Sequence, residues 1–185
     1  MAVFHEITEQ KRLEAELERL ATHDRLTGSY NRAKLYELLE IAREECERYA
    51  TPFSVIMLDV DHFKAVNDRL GHQAGDEALR ELTRRIDREL RGTDAFGRWG
   101  GEEFVVLASH TDIRDAAELA ERLRARIAHP AFEGIGTITI SLGVAAYQPG
   151  EAVVNLEKRV DDALYAAKEA GRNKVVIAEA SAQRA

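Results

Sequence analysis

Apolar residues recur along this chain with two spacings, one typical of amphipathic helices and one typical of strands. Helical spacing covers residues 6–21, 32–50, 61–70, 75–90, 113–128 and 156–170, and strand spacing covers residues 53–59, 94–99, 104–108, 138–145 and 174–177. After the first helix, the order is helix, strand, two helices, hairpin, helix, strand, helix, strand. It predicts the α/β class, as an α+β sandwich in which helices flank a mixed, mostly antiparallel, five-stranded central sheet.

The strand predicted at residues 53–59 is apolar at nearly every position, which is typical of a central strand covered on both faces. Its last residue, Asp59, places a carboxylate at the strand end. On the helices we expect these residues to face inward: Leu35, Leu38, Leu39, Ile41, Ala42, Leu79, Leu82, Ile86, Leu90, Leu119, Leu123 and Ile127.

The first helix carries a narrow apolar stripe. Leu13, Leu17 and Leu20 are spaced four and three residues apart, and charged residues fill most of the other positions. Such a stripe suits a parallel partner helix. The alternative is that this helix lies on its own domain.

Three regions follow from these patterns. We expect residues 1–21 to form a signalling helix at the end of an upstream sensor, because residues 3–8 have the pattern of a last strand that runs into the helix. Residues 22–178 form the globular domain, and residues 179–185 form a disordered tail.

The predicted hairpin contains an unusual turn. Gly100 and Gly101 separate the two strands, and a primed turn needs φ > 0 at both central residues, which glycine adopts freely. Glu102 and Glu103 follow directly. Because successive side chains of a strand point to opposite faces, we expect the two carboxylates to have different roles. A bare backbone beside acidic oxygens suits a metal-bound phosphate, and the alternative is a solvated hairpin tip.

The composition excludes some classes of function. The chain of 185 residues has 26 Lys and Arg against 33 Asp and Glu, a formal net charge of −7. Nucleic acids and membrane surfaces attract basic faces, so neither is expected as a partner. The sequence has no apolar stretch of membrane-spanning length and no signal peptide. The single Cys46 is consistent with a reducing compartment, so we expect a soluble, cytoplasmic protein.

Several motifs resemble one family. Residues 98–104, Arg-Trp-Gly-Gly-Glu-Glu-Phe, resemble the signature of the GGDEF domains, the diguanylate cyclases, in its Gly-Gly-Glu-Glu-Phe form. The other motifs that resemble the family lie at residues 24–27, 31–32, 58–68, 71–72, 75–76, 165–168 and 171–173. The resemblance covers about residues 22–177 and implies a fold similar to the nucleotidyl cyclase and polymerase palm.

The resemblance also implies a metal site. Asp59 and Glu102 would be metal ligands together with the main-chain carbonyl of Val60, and the metal would be Mg²⁺ or Mn²⁺, two ions in each half of an active site. Glu103 would make a further metal contact or help to deprotonate a 3′-hydroxyl group, and these two roles stay open. Hard carboxylate oxygens are the ligands that Mg²⁺ prefers. For Asp61 we expect only a role at the strand end and as a helix cap.

GTP would bind beside this metal site. Phe63 and Lys64 lie in the first turn of a helix, where free backbone N–H groups bind anions, so they would hold the β- and γ-phosphates. The resemblance assigns Asn67 and Asp76 to the guanine base, with a helix cap as the alternative for Asp76. The bare backbone of the Gly-Gly turn would also face the nucleotide.

Two cations are expected to reach the phosphates. Lys168 and Arg172 are four residues apart, which places them on one face of a helix. Their alternative role is to stabilise the C-terminal end of the helix dipole. We interpret His23, His62 and His72 as polar surface residues and not as ligands.

A second nucleotide site is predicted before the hairpin. Arg91 and Asp94 match the Arg-x-x-Asp inhibitory motif of product-inhibited family members, and Arg122 is a further candidate contact. Arginine pairs well with phosphate or with a guanine edge.

The resemblance implies an enzyme that condenses two GTP into cyclic di-GMP and releases two pyrophosphates at the interface of a two-fold homodimer. Residues 3–8 then resemble the end of a PAS-type sensor. One alternative is a catalytically silent module of the same fold that senses cyclic di-GMP or GTP. A second is a nucleotidyl cyclase or palm relative with another base preference.

Overall fold

The computed structural model describes residues 11–13 and 16–179. It has five strands, β1 (Phe53–Val60), β2 (Ala95–Gly100), β3 (Glu103–Ser109), β4 (Ile140–Ala146) and β5 (Val175–Ile177). They form one sheet in the order β2-β3-β1-β4-β5. All neighbouring pairs are antiparallel except β4 and β5, which are parallel. The predicted mixed, mostly antiparallel, five-stranded sheet is therefore confirmed.

Five helices cover the sheet: α1 (Arg32–Tyr49), α2 (Phe63–Leu70), α3 (His72–Asp87), α4 (Ile113–Ala128) and α5 (Val153–Glu169). On one face, α3 and α4 pack on alternate β1 residues such as Ile56 and Leu58. On the other face, α1 and α5 pack on Val55 and Met57. Because both faces are covered, every residue of β1 is buried, as its continuous apolar pattern predicts.

The sheet register places polar groups at the C-terminal end of β1. Asp59 lies opposite Glu103 of β3 on one side and Ser141 of β4 on the other. Helix α5 comes close to β4 at Gly143, where a Cβ atom would overlap the backbone of α5. Since α5 carries Lys168, this close packing brings a cation towards the end of β1.

Three helix details differ from the sequence predictions. Ile41 of α1 does not face inward, since 44% of it is exposed. Helix α2 begins at Phe63 and not near Asp61, because His62 takes the left-handed conformation with φ of 56°. Helix α3 begins at His72, three residues before the predicted start. Asp76 therefore lies in the second turn of α3, and its alternative role as a helix cap is wrong.

The N-terminal helix is described at residues 11–13 and 16–22. Leu13, Leu17 and Leu20 are exposed by 58%, 66% and 39%. In a single chain, therefore, this helix does not bury its leucines on its own domain. The predictions for residues 3–8 and 180–185 lie outside the described residues. Within the described ranges, no helix is both long and apolar enough to cross a membrane.

Candidate functional site

The site is centred on Asp59, a carboxylate that is 8% exposed. Its Oδ2 atom lies 2.8 Å from Nζ of Lys168 on α5. Burial raises the pKa of Asp59 to about 6; the hydrogen bond and charge of Lys168 oppose the rise, and the charges of Glu102 and Glu103 add to it. Three carboxylates therefore share one end of the sheet, where a further cation is electrostatically favoured.

The hairpin turn differs from the predicted one. Gly100 still pairs with Glu103 across the two strands, so the central residues of the turn are Gly101 and Glu102. Gly101 has φ of 48°, whereas Gly100 and Glu102 do not have positive φ. The predicted primed turn with positive φ at both glycines is wrong. The register shifts between Arg98 and Gly100, so that a bulge moves the turn by one residue.

This shift changes the geometry of the two glutamates. Glu102 lies in the turn and not in a strand, and its carbonyl accepts a 3.3 Å hydrogen bond from the Val60 N–H. Glu103 is the first residue of β3 and faces the same side of the sheet as Asp59. The expectation of opposite faces assumed that both residues belong to β3, and it is wrong for Glu102.

The side chain of Arg98 stabilises the turn. Its guanidinium donates two hydrogen bonds to the Gly101 carbonyl, at 2.8 and 2.6 Å, and lies 3.3 Å from Oδ1 of Asp24. The carboxylate of Asp24 also accepts hydrogen bonds from the N–H and hydroxyl of Thr27. The polar segment after the N-terminal helix is thus tied directly to the signature turn, a contact that the sequence analysis missed.

The outer side of the turn is open. A Cβ atom at Gly100 or Gly101 would meet no atom within 4 Å. The backbone conformation explains a glycine at position 101, but neither packing nor φ requires one at position 100. The open space beside Gly100 leaves its bare backbone accessible from outside.

Helix α2 begins beside this turn. His62, in its left-handed conformation, accepts with its carbonyl from the N–H groups of Ala65 and Val66. Among the described residues, no acceptor faces the N–H groups of Phe63 and Lys64. The Phe63 ring is buried and anchors the helix, whereas Lys64 is exposed. The start of α2 therefore has two amides that an anion could bind.

Asn67 and Asp76 lie on neighbouring helices. The Asn67 side chain packs against Gly75, where a Cβ atom would overlap its Oδ1 atom. That Oδ1 atom is buried and has no hydrogen-bond donor within the described residues. Asp76 follows Gly75 and is half-buried. A buried amide oxygen without a donor is a polar group available to a ligand.

The position of Arg172 differs from the prediction. Helix α5 ends at Glu169, and Gly171, with φ of 102°, follows the helix end. Arg172 and Asn173 continue in the left-handed conformation, with φ of 59° and 47°. Lys168 and Arg172 therefore do not share one helix face, because the chain leaves the helix between them. Arg172 is exposed in the loop that leads to β5.

Asp61 is not a helix cap. Its carboxylate is buried and accepts hydrogen bonds from the hydroxyls of Thr139 and Ser141 and from the N–H of Asn173. A cap role was predicted because Asp61 stands just before α2, but the left-handed turn at His62 directs it elsewhere. Asp61 follows directly after the last residue of β1, Val60, and nothing else in its local sequence pointed to these three donors.

Of the three histidines that were predicted to be surface residues, His62 and His72 are exposed. His23 is half-buried, its ring lies 4.9 Å from that of Tyr30, and its Nδ1 atom lies 2.8 Å from the Thr22 hydroxyl. It is therefore part of a packed segment and not a free surface residue.

The predicted product site lies just before β2, at the end of the hairpin opposite its turn. Asp94 Oδ2 accepts from the Arg91 N–H at 2.9 Å, while Asp94 Oδ1 is buried and has no donor within the described residues. Both residues line a surface cavity of about 360 Å³ that also includes Tyr30 and Asp87. Burial raises the pKa of Asp87.

Arg122 is exposed on α4, one turn before Arg126. Arg126 lies 3.4 Å from Glu89, two residues before Arg91. No hydrogen bond or ion pair joins Arg122 to Arg91 or Asp94 among the described side chains.

The donor set suits a metal that also binds a substrate. In the part of the chain that the structure describes, no group of three or more His, Cys, Asp or Glu side chains could hold a metal by itself. Mg²⁺ commonly takes only one or two protein carboxylates and completes its shell with phosphate oxygens and water. The carboxylates at the ends of β1 and β3 fit this mode of binding.

Comparisons with known proteins agree with this geometry. The family model described as "Diguanylate cyclase, GGDEF domain" matches residues 21–174. The diguanylate cyclase DgcM of Escherichia coli K12 is 43% identical over 178 residues, which cover 96% of this chain and 43% of DgcM. The chain therefore spans less than half the length of this relative.

Two solved structures are also similar. The coiled coil and GGDEF domain of DgcB from Caulobacter crescentus, in complex with c-di-GMP, has a TM-score of 0.86 at 33% identity and covers 96% of this chain and 97% of its own. The active GGEEF domain of a Vibrio cholerae diguanylate cyclase has a TM-score of 0.77 at 37% identity, with 82% and 98% covered. Together with the match over residues 21–174, these similarities show that the chain belongs to the GGDEF domain family of diguanylate cyclases.

Proposed function

We propose that this domain condenses two molecules of GTP into cyclic di-GMP and releases two pyrophosphates. The observation that carries the proposal is the position of Asp59 opposite Glu103, with Glu102 in the adjoining turn and the free amides of α2 beside them. Family members generally depend on a metal, and a buried carboxylate with two anionic neighbours and a pKa raised to about 6 favours a bound cation.

The metal would be held by Asp59, Glu102 and the main-chain carbonyl of Val60. Glu103, opposite Asp59, could make a further contact with the metal. We propose Mg²⁺ or Mn²⁺, two ions in each half-site. A bound divalent ion would neutralise the triphosphate and make the 3′-hydroxyl more acidic.

The residues around the metal would orient GTP. The Phe63 and Lys64 amides would bind the β- and γ-phosphates, and Lys168 and Arg172 would add positive charge beside them. Asn67 and Asp76 would bind the guanine edge, because an amide and a carboxylate match its donors and acceptors. The open backbone at Gly100 and Gly101 would let the sugar and α-phosphate lie against the turn.

The reaction needs a second domain. The 3′-oxygen of one GTP would form a bond to the α-phosphorus of the other, and the bond from that phosphorus to the oxygen that bridges the α- and β-phosphates would break, which releases pyrophosphate. Glu103 would accept the 3′-hydroxyl proton, since it faces an open groove between the hairpin and α5. Repeating the step with the roles exchanged closes the ring, so a two-fold homodimer supplies both halves.

The same proposal includes the regulation of the enzyme. Arg91 and Asp94, with Arg122 as a candidate third residue, would bind cyclic di-GMP and inhibit the enzyme. An upstream PAS-like sensor would control pairing through the exposed leucines of the N-terminal helix. We place the domain in the cytoplasm, where GTP is available.

The alternative is a module of this fold that binds cyclic di-GMP or GTP without catalysis. The observation that favours it is the buried Asp94 Oδ1 atom, which has no donor among the described residues and lies in the cavity beside Arg91. The intact carboxylates at the sheet end favour the enzyme, because ligand binding at the cavity does not require them.

The test is to incubate the purified protein, stripped of bound nucleotide, with GTP and Mg²⁺ and to identify the products by mass. Glu103→Gln, which keeps the size of the side chain, is the matched variant, and its rate should be lower by a factor of about 10² to 10⁴. ATP, CTP and UTP in separate reactions test the base preference. Cyclic di-GMP binding without any product from GTP would favour the silent module.

A further inference from the structure

Asp61 is a buried anion that the proposed reaction does not use. It is 5% exposed, and its N–H donates to the Thr139 carbonyl at 2.9 Å. Oδ1 accepts from the Ser141 hydroxyl at 2.6 Å, and Oδ2 accepts from the Thr139 hydroxyl at 2.7 Å and from the Asn173 N–H at 3.0 Å. A buried carboxylate with three donors is held in a single orientation.

One of these donors belongs to an unusual loop. Gly171, Arg172 and Asn173 have φ of 102°, 59° and 47°, so three consecutive residues take positive φ, and two of them are not glycine. Such a conformation is costly for residues with a Cβ atom and persists only where the surroundings fix it.

The contacts that fix the loop come from its two ends. The Arg172 N–H donates to the Ala167 carbonyl at 3.1 Å, and the Asn173 side chain accepts from Arg124 at 3.0 Å. The contact with Asp61, the residue directly after β1, joins the loop to the end of that strand. Arg172 therefore lies between an anchor in α5 and an anchor at the sheet end.

We propose that Asp61 is a positioning residue that holds the Arg172 guanidinium at the triphosphate of the bound nucleotide. Asp59 contacts Lys168 and Asp61 fixes the loop of Arg172, so two carboxylates at the end of β1 place both cations. The inference rests on the proposed function in taking GTP as the ligand and Arg172 as a residue that reaches its phosphates. It goes beyond that function because it assigns a role to a residue that touches neither substrate nor metal.

A purely structural role makes a different prediction. Asp61 also joins β1 to Thr139 and Ser141, so its loss could weaken this end of the sheet as a whole. In that case its loss would impair nucleotide binding equally whether or not Arg172 is present. A positioning residue acts only through the residue that it positions, and a double-mutant cycle separates the two roles.

The experiment measures the binding of 3′-deoxy-GTP with Mg²⁺ by calorimetry, a probe that cannot form the cyclic product. The four proteins are the wild type, Asp61→Ala, Arg172→Asn and the double variant. Asparagine tolerates the left-handed conformation, so Arg172→Asn removes the guanidinium with little added strain. We expect Asp61→Ala to weaken binding roughly tenfold in the wild-type background and less than about twofold in the Arg172→Asn background.

Two controls keep the result decisive. Thr139→Val removes one hydrogen bond to Asp61 but keeps the Asn173 contact, and it should change binding less than about twofold. If Asp61→Ala does not fold, Asp61→Asn takes its place in the same cycle. An equal loss of affinity in both backgrounds would overturn the proposal. Since the probe reports binding alone, a domain that binds it but makes no cyclic di-GMP contradicts the proposed function and not the role of Asp61.

Discussion

Among single residues, Asp59 has the largest change in acid–base chemistry within the site. Its pKa rises from 3.8 to about 6, chiefly because burial removes water from the carboxylate. Between these two values the native state binds more protons than the unfolded state, so stability falls as the pH rises through this window. Above about pH 6 Asp59 is ionised in the native state, and the full loss of folding stability from its burial applies unless a bound cation offsets it.

The first prediction concerns the destabilisation by the buried Asp59 carboxylate. Without divalent metal, Asp59→Asn should raise the free energy of unfolding at pH 7.5 by about 1–3 kcal/mol, because one pKa unit corresponds to about 1.4 kcal/mol. The loss of the Lys168 partner opposes part of this gain. Denaturant unfolding at pH 7.5 and near pH 4 measures the difference, which should nearly vanish at the lower pH.

The control for this prediction is added metal. Mg²⁺ with GTP should stabilise the wild type more than Asp59→Asn, because a bound ligand stabilises the state that binds it. A difference between the two proteins that does not change with pH would contradict the assigned cause.

Among the elements, the β2–β3 hairpin contains Glu102 and Glu103, and it is joined to the segment that follows the N-terminal helix. Arg98 joins the Gly101 carbonyl to Asp24 in the segment just after the N-terminal helix. Because Glu102 follows Gly101, a looser turn would misplace a carboxylate. Small errors in the position of a catalytic group reduce the rate strongly.

The second prediction follows from the fork geometry of arginine. Arg98→Lys keeps the charge but cannot make both hydrogen bonds to Gly101 and the contact with Asp24. The kcat for product formation should fall about tenfold or more, while circular dichroism shows the same fold. Arg114→Lys, at a side chain that is 85% exposed on α4, is the matched control and should keep full activity. Unchanged kcat in Arg98→Lys would exclude a role for this contact.

The sequence predicted the elements better than their ends. Periodic apolar residues and the continuous strand at β1 established the order of helices and strands and the five-stranded sheet. One group of errors lies where the backbone takes a left-handed turn without a glycine. His62 shifts the start of α2 and redirects Asp61, and no local sequence signal marks that residue.

In the candidate site, too, the sequence predicted which residues matter better than it predicted the local backbone. Motif residues such as Asp59, Glu103 and Lys168 meet at one end of the sheet, and it was the family resemblance that predicted one site for them. The bulge at the hairpin and the departure of Arg172 from α5 depend on tertiary contacts, and spacing rules for regular strands and helices cannot predict them.

At the scale of the whole molecule, one domain carries one proposed GTP site, whereas the proposed product joins two nucleotides. The exposed leucines of the N-terminal helix provide an apolar stripe for a second copy. Pairing through such a helix would raise the effective concentration of the two catalytic halves.

The third prediction is that removing residues 1–20 lowers the activity per domain at low protein concentration, with little change at high concentration. The physical reason is that two separate domains must then meet by diffusion. Initial rates measured over a hundredfold range of protein concentration provide the test. Equal specific activity for both proteins at every concentration would contradict the role of the helix.

The most direct test of the central claim is the stoichiometry of the reaction. The stripped protein, with a dimerising helix fused to its N-terminus if the natural one does not pair, is incubated with GTP and Mg²⁺. Pyrophosphate and cyclic di-GMP are then quantified together, with Glu103→Gln in parallel. The account predicts two pyrophosphates for each cyclic di-GMP from the wild type and a loss of both products in the variant. Pyrophosphate without the cyclic dinucleotide, or no turnover at all, would contradict it.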